Sequence, residues 1–225
     1  MSNVEKFDIV VIGGGPSGIS LAKVLGRKVK MAVVRQEYKS MIYCAMPYAI
    51  EGLMPIEKVY KKDELITGNG AVLIRGVAEK IDFGEKKVIL KNSGPIKYDK
   101  LIIATGAYPF IPPIEGSSLD GVMGFKTEDD LRRIKGIIDA GLNKAVVVGA
   151  GAIGVELAQA LKSTGLKVTL IDMADSIVPN MLDKDMMNDI TTLIPQNGIG
   201  LILNARVSKL EGKNYVERII LSDNE

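Results

Sequence analysis

Two short glycine runs carry most of the chemistry open to this sequence. Gly13-Gly14-Gly15-Pro16-Ser17-Gly18 and Gly149-Ala150-Gly151-Ala152-Ile153-Gly154 both read Gly-x-Gly-x-x-Gly. Each follows a β-branched run and precedes a helix-like one. In such a turn the first glycine permits the tight bend out of a strand. The second removes a Cβ where a pyrophosphate approaches, and the third lets the helix close on the sheet. N–H groups at the helix start then face the phosphates. One such turn is a weak sign. Two, each between a strand and a helix, predict two nucleotide sites, with Pro16, Ser17, Ala152 and Ile153 among the turn residues beside the phosphates.

A ribose reader is expected about 20 residues after each turn, as an acid ending the second strand. Asp172 fills that place in the second copy, after Val168-Thr169-Leu170-Ile171. A carboxylate there accepts from the ribose hydroxyls and repels a 2′-phosphate. Met173, Ala174 and Asp175 bring no compensating cation, so NADH is expected over NADPH. The first copy departs from the rule, with Arg35 at the equivalent place. Three placements are open to Arg35: over an adenine, against a phosphate, or in solvent. Glu37, two residues on, can replace the missing acid only if the loop bends.

The chain has no histidine and one cysteine, Cys44. That removes the Ser-His-Asp triad, the Cys-His dyad and zinc sites of the usual kind. One cysteine also excludes an internal disulfide and a multi-cysteine cluster. Chemistry must use a cofactor, a carboxylate, a lysine, a tyrosine or Cys44. A lone cysteine in an apolar run, Met41-Ile42-Tyr43-Cys44-Ala45-Met46, reads first as buried packing. As a thiolate it can attack a disulfide or be oxidised by peroxide.

The elements that position these residues follow from periodicity. Residues 7–12, 29–34, 71–74 and 100–105 read as strands, the last of them buried. The segment 19–25 is a helix ended by Gly26. Residues 78–82 and 87–90 form a hairpin. Pro109, Pro112 and Pro113 break regular structure and mark the crossing between domains. Thr127 caps a helix over 128–138 with Asp130 at its third position. In the second half 145–148 and 167–171 are strands and 155–163 the helix between them, with Gly165 as its C-cap. A helix over 184–193 and strands over 200–203 and 215–222 complete the reading. Met181, Met186 and Met187 are expected to pack.

The order strand, glycine turn, helix, strand, met twice, predicts an α/β protein of two tandem Rossmann-like three-layer domains. The expected division is 1–111 and 112–225. At 225 residues, 47% hydrophobic and 25% charged, the chain reads as globular rather than disordered. A net charge of +2 with no basic run gives no reason to expect nucleic acid. No apolar run reaches the roughly 18 residues a membrane helix needs. The first residues lack the charged and apolar regions of a signal peptide, so a cytoplasmic location is expected.

Together these residues resemble the pyridine-nucleotide disulfide oxidoreductase family of flavoproteins, especially its single-cysteine branch of NADH oxidases, NADH peroxidases and coenzyme A disulfide reductases. The resemblance implies FAD at the first turn and NAD(P)H at the second. It implies a further FAD contact at Thr105-Gly106, within Leu101-Ile102-Ile103-Ala104-Thr105-Gly106-Ala107-Tyr108-Pro109. Glu156, after the second turn, would lie near the nicotinamide. Cys44, with Tyr43 beside it and Pro47-Tyr48 and Glu51-Gly52 after it, would be the redox centre. Arg35 stands where the family usually has glutamate, Tyr43 and Ala45 flank the cysteine where Asn and Gly are common, and the histidine of the peroxidases and oxidases is missing. Family members also continue well past this length, through a second FAD segment and a dimerisation domain.

The function this implies is hydride transfer from NADH to FAD and onward, through Cys44, to a disulfide, oxygen or peroxide. The electron acceptor is then a small molecule, and the protein partner a second copy or a complementary subunit. Two alternatives stay open: a flavin-dependent NADH reductase of a small electron-transfer protein, with Cys44 structural, and a non-catalytic nucleotide-binding module.

Overall fold

A computed structural model describes residues 4–179 and 181–222, the side chains of Lys184 and Asp185 excepted. The chain opens with β1 (Lys6–Ile12), α1 (Pro16–Leu25), β2 (Met31–Arg35) and β3 (Ser40–Met41). A 3-10 turn at Tyr43–Ala45 leads into α2 (Met46–Glu51). Then come β4 (Tyr60–Lys61), α3 (Glu64–Thr67), β5 (Val72–Arg75), β6 (Ala78–Asp82), β7 (Lys87–Leu90) and β8 (Ile96–Ile103). The remainder is α4 (Glu128–Asp139), β9 (Lys144–Val148), α5 (Ala152–Ser163), β10 (Lys167–Ile171), α6 (Lys184–Gln196), β11 (Gly200–Ile202), β12 (Arg206–Glu211) and β13 (Arg218–Ser222). None of the described helices is long and apolar enough to cross a membrane.

Two compact units result. The first is Met1–Ile42 with Ile56–Tyr108, and the second Tyr43–Pro55 with Pro109–Glu225. In the first, a six-stranded sheet runs β5-β2-β1-β8-β7-β6, parallel through β8 and antiparallel beyond. Strand alternation divides its core into two layers. Val10, Ile12, Ala32 and Val34 share one face and, with Phe7 at the start of β1, cluster with Val88, Leu90 and Tyr98. Val11, Met31 and Val33 point to the other and meet Ile19 and Ala22 of α1 and Ile66 of α3. All five residues of β2 are buried, as expected of a parallel strand covered on both sides. The strand expected at 100–105 starts earlier, at Ile96, and its end is not buried: Ile103 is 59% exposed.

In the second unit β11, β10 and β9 form a parallel three-stranded sheet, and β12 pairs with β13 antiparallel. Val147, Val168 and Leu170 are buried, as are Ala158 and Leu161 of α5. Ile171 joins Val207, Leu210 and the partly buried Ile114, Leu119 and Ile219 in a separate cluster. The helix after Thr127 begins as expected, in a reciprocal capping box. Thr127 Oγ1 accepts from the Asp130 N–H at 3.1 Å, and the Asp130 carboxylate accepts from the Thr127 N–H at 2.8 Å. Thr164 is the C-cap of α5, and Gly165 follows it in the left-handed region at φ +92°.

Further expectations are corrected. β12 is an additional strand, and the last strand starts at Arg218 rather than 215. α6 runs on through Pro195 to Gln196. Of the three methionines only Met187 is buried, while Met181 and Met186 are exposed.

Candidate functional site

In the first unit β1 lies between β2 and β8, so its C-terminal end is where the strand order reverses, the place at which open α/β sheets bind ligands. The Gly13 N–H donates to the Val34 carbonyl at 2.8 Å and the Ala104 N–H to the Ile12 carbonyl at 2.7 Å. The turn is thereby anchored on both sides. Gly13 has φ +117°, and a Cβ on it would lie 2.0 Å from the Ala104 carbonyl oxygen. A Cβ on Gly18 would lie 2.2 Å from the Gly13 carbonyl oxygen. Around Gly15 nothing lies within 4 Å of that position. So the outer two glycines pack protein on protein, and the middle one faces open space.

The second turn repeats the positive φ of the first glycine, the crowded third and the open middle one, although no atom lies within 4 Å of a Cβ on Gly149. Gly149 has φ +109°, a Cβ on Gly154 would lie 1.8 Å from the Gly149 carbonyl oxygen, and Gly151 has nothing within 4 Å. Gly15 and Gly151 are the N-caps of α1 and α5, where no side chain caps the helix and no acid stands in the first turn. Pro16 at the first helical position gives up no useful donor. Each helix therefore offers uncapped N–H groups, from Ser17 and Gly18 and from Ala152, Ile153 and Gly154, beside an open glycine. That is the donor set a pyrophosphate requires. Thr105 and Gly106 follow β8 in the same unit as the first turn. Both are exposed, and Gly106 has φ +75°.

Of the three placements expected of it, Arg35 does not take the one in solvent. It is buried at 3% exposure. Its Nη2 donates to Asp63 Oδ1 at 2.6 Å and to the Tyr38 carbonyl at 3.3 Å, and its Nε to the Glu37 carbonyl at 3.0 Å. Arg75 pairs with the other oxygen of Asp63 and also donates to the Glu37 carbonyl. A Cβ on Gly14 would meet Arg35 Cδ at 2.6 Å. Arg35 therefore lies beneath the glycine turn as a brace, with most of its donors held by protein. The loop after β2 does bend, leaving Gln36 and Glu37 exposed. Gln36 Nε2 lies 3.1 Å from the Tyr108 hydroxyl and 3.4 Å from Glu37 Oε1. Gln36 follows β2 and Tyr108 lies beyond β8, the two strands flanking β1. Their contact joins the segments that follow the two neighbours of β1, and the Glu37 carboxylate lies against the same Gln36 amide.

In the second unit Asp172 stands at the end of β10 and is tied directly to the turn. One carboxylate oxygen accepts from the Ala150 N–H, the other from the Ala174 N–H at 2.8 Å. A carboxylate has about four acceptor positions, so two remain for ribose hydroxyls. Glu156 is exposed and borders an apolar cleft with Ala152, Val155, Ile177, Val178, Met181, Leu182 and Ile190.

Cys44 sits in the 3-10 turn before α2 and is exposed, which corrects the reading of buried packing. Tyr43 is exposed as well, with the Lys126 ammonium 3.9 Å from its ring centroid. Met46, Pro47, Ala49 and Ile50 are buried, and α2 packs against α5 and α4. Lys135 Nζ donates to the Ala49 carbonyl at 3.1 Å. The cysteine is thus carried by a helix fixed to the same unit as the second turn, Asp172 and Glu156. Asp63, Arg75 and Lys126 escaped the sequence reading because their partners are distant in sequence and no local pattern marks them.

The sequence profile of the pyridine nucleotide-disulphide oxidoreductase family matches residues 7–225. The chain belongs to this family. Among curated relatives in it, an NADH oxidase of Methanocaldococcus jannaschii is 36% identical over 227 residues, covering 93% of this chain and 50% of that protein. A CoA-dependent NAD(P)H sulfur oxidoreductase of Pyrococcus abyssi is 31% identical over 229 residues, covering 98% and 51%. Among solved structures, an NAD-dependent persulfide reductase from A. fulgidus superposes with a TM-score of 0.83 at 30% identity, covering 95% of this chain and 42% of that one. The chain spans about half the length of the curated relatives it matches. The paired Rossmann-like folds expected from the sequence are those of this oxidoreductase family.

Proposed function

We propose that this chain forms the FAD- and NADH-binding part of a flavoprotein oxidoreductase that passes electrons through Cys44 to a small disulfide, oxygen or peroxide. The observation that carries the reading is the repeated turn. In both units the first glycine has a positive φ, the third leaves no room for a Cβ, the middle one is open, and the helix start is uncapped. In this reading FAD occupies the first unit, with Thr105 and Gly106 beside it and Glu37 as ribose acceptor in place of the acid missing at position 35. NADH occupies the second, with Glu156 near its nicotinamide. FAD, when bound, supplies the two-electron chemistry. The chain's own part is to hold the phosphates on backbone N–H groups, to read the riboses with carboxylates, and to present an accessible thiol with Tyr43 beside it. Exposure of Cys44 supports the redox role over a structural one. A cytoplasmic setting and a second copy or complementary subunit as partner belong to the same proposal.

Purified protein reconstituted with FAD is expected to hold it and to show flavin absorption bands. A preparation that FAD cannot reconstitute would sink the flavin assignment. Cys44→Ser is expected to abolish disulfide reduction and to leave NADH-dependent reduction of artificial dyes in place. Unchanged turnover with natural acceptors would instead favour a reductase of a small electron-transfer protein.

The second turn is expected to bind NADH at least about tenfold tighter than NADPH, a difference of about 1.4 kcal/mol. The cause is Asp172, whose carboxylate is fixed at the turn and would face a 2′-phosphate directly. Asp172→Ala should narrow the gap in a titration of both nucleotides. Equal binding by the wild type would remove Asp172 from the role.

A further inference from the structure

Val178 holds a backbone conformation that β-branched residues avoid. Its φ is +43°, and the other described non-glycine residues with positive φ are Lys86, Asn92 and Asn204. A left-handed valine is strained, and such residues persist where the surroundings determine them, frequently at ligand clamps. Here the surroundings are specific. The Val178 N–H donates to the Ala150 carbonyl at 2.8 Å, and Ile177 beside it is fully buried. The Val178 carbonyl accepts from the Met181 N–H at 2.9 Å, closing a turn.

Ala150 lies between the first two glycines of the second turn and is itself fully buried. Its N–H is held by the Asp172 carboxylate and its carbonyl by Val178. One segment, 172–178, therefore grips both backbone groups of one turn residue. The first unit has a different device at the same place: Arg35 Nη1 lies 3.5 Å from the Gly14 carbonyl, reaching it from a side chain. In the second unit the grip depends on the chain turning back sharply enough for residue 178 to reach Ala150. The left-handed φ at Val178 is part of that return.

We propose that Val178 is a positioning residue for dinucleotide recognition at the second turn. Its strained backbone clasps the 173–178 loop onto Ala150 and so keeps the Asp172 carboxylate set for a ribose diol. This rests on the reading that the second turn binds NADH. Val178 acts through Asp172 and the turn, with no contact to the nucleotide required.

The test is titration of NADH and NADPH against the full chain as wild type, Val178→Gly and Val178→Pro. Glycine keeps both the left-handed φ and the N–H, so affinities and the NADH/NADPH ratio should stay within about twofold of wild type. Proline fixes φ near about −65° and has no N–H, so the clasp cannot form. Val178→Pro should lose about tenfold or more in NADH affinity, the scale of losing one contact to a charged group, and less for NADPH, so that the ratio falls. A second measurement stands even if the proline variant does not fold. Saturating NADH should slow amide hydrogen exchange at Ala150 and Val178 in the wild type by about tenfold relative to the β12–β13 hairpin. A folded proline variant with wild-type affinity and ratio overturns the proposal, as does unchanged exchange at those two amides. A wild type that binds no NADH is a different failure, since it overturns the nucleotide assignment itself.

Discussion

Gly154→Ala is expected to abolish dinucleotide binding by the second unit and to lower its melting temperature sharply. The added Cβ would lie 1.8 Å from the Gly149 carbonyl oxygen. That neighbour is backbone, in a turn held to β10 by the Gly149 N–H donating to the Ile171 carbonyl at 2.8 Å. Either α5 retreats from β9 or the turn opens, and both destroy the arrangement of N–H groups at the helix start. Overpacking of this kind costs about 1–3 kcal/mol or more. Gly151→Ala is the informative control. Gly151 has φ −70°, which alanine adopts freely, and no atom lies within 4 Å of the new methyl. It should therefore leave stability almost unchanged and still weaken NADH binding, because the methyl enters the space the pyrophosphate needs. Thermal unfolding and nucleotide titration of the two variants separate the effects. A Gly151→Ala protein with full NADH affinity would show that phosphate does not approach there.

Asp63→Ala should produce the largest loss of stability in the first unit. Arg35 has a side chain only 2% exposed, and Asp63 is its ion-pair partner. Removing the carboxylate leaves that guanidinium charged, out of water and close to the like charge of Arg75. Stripping a partner from a buried pair is worth about 3–5 kcal/mol, and because Asp63 is itself 36% exposed we expect roughly 2–4 kcal/mol. The loss should persist at high salt, since a buried pair is weakly screened. Replacing both residues, as Arg35→Met with Asp63→Ala, should recover part of it, because no uncompensated charge remains. Urea unfolding midpoints measure all three. An Asp63→Ala protein as stable as wild type would show that the carbonyls of Glu37 and Tyr38 suffice for Arg35.

The parts legible in the sequence are those whose cause is local. A positive φ at Gly13 and Gly149, the closeness of Gly18 and Gly154 to the turn, and the reciprocal bonds of Thr127 and Asp130 all arise within a few residues. Glycine spacing and a Thr-x-x-Asp pattern announce them. Asp172 was equally readable because it ends a strand paired directly beside the turn. Arg35 was not, because its environment is set by Asp63 and Arg75 from other elements. β12 was missed for a different reason. A bulge between Val207 and Lys209 shifts the register, so its buried residues are Val207 and Leu210 rather than an alternating set. α6 extends past the expected end at 193 because Pro195 lies in its last turn, where the helix has little left to lose. Val178 gives no sign at all, since valine is among the residues least expected at positive φ.

β9 also bears on how this protein behaves in a tube. It is the last strand in the order β11-β10-β9, so among the described residues one edge is unpaired. Val146 and Val148 lie along it at 43% and 57% exposure. Such an edge is a template onto which another extended chain can add, and folded proteins ordinarily blunt or cover it. The five residues of β9 therefore offer the second unit a surface for self-association. Concentration, salt and handling of the pure protein will act on that strand, and Val146→Lys, three residues before the second glycine turn, is the change that would quiet it.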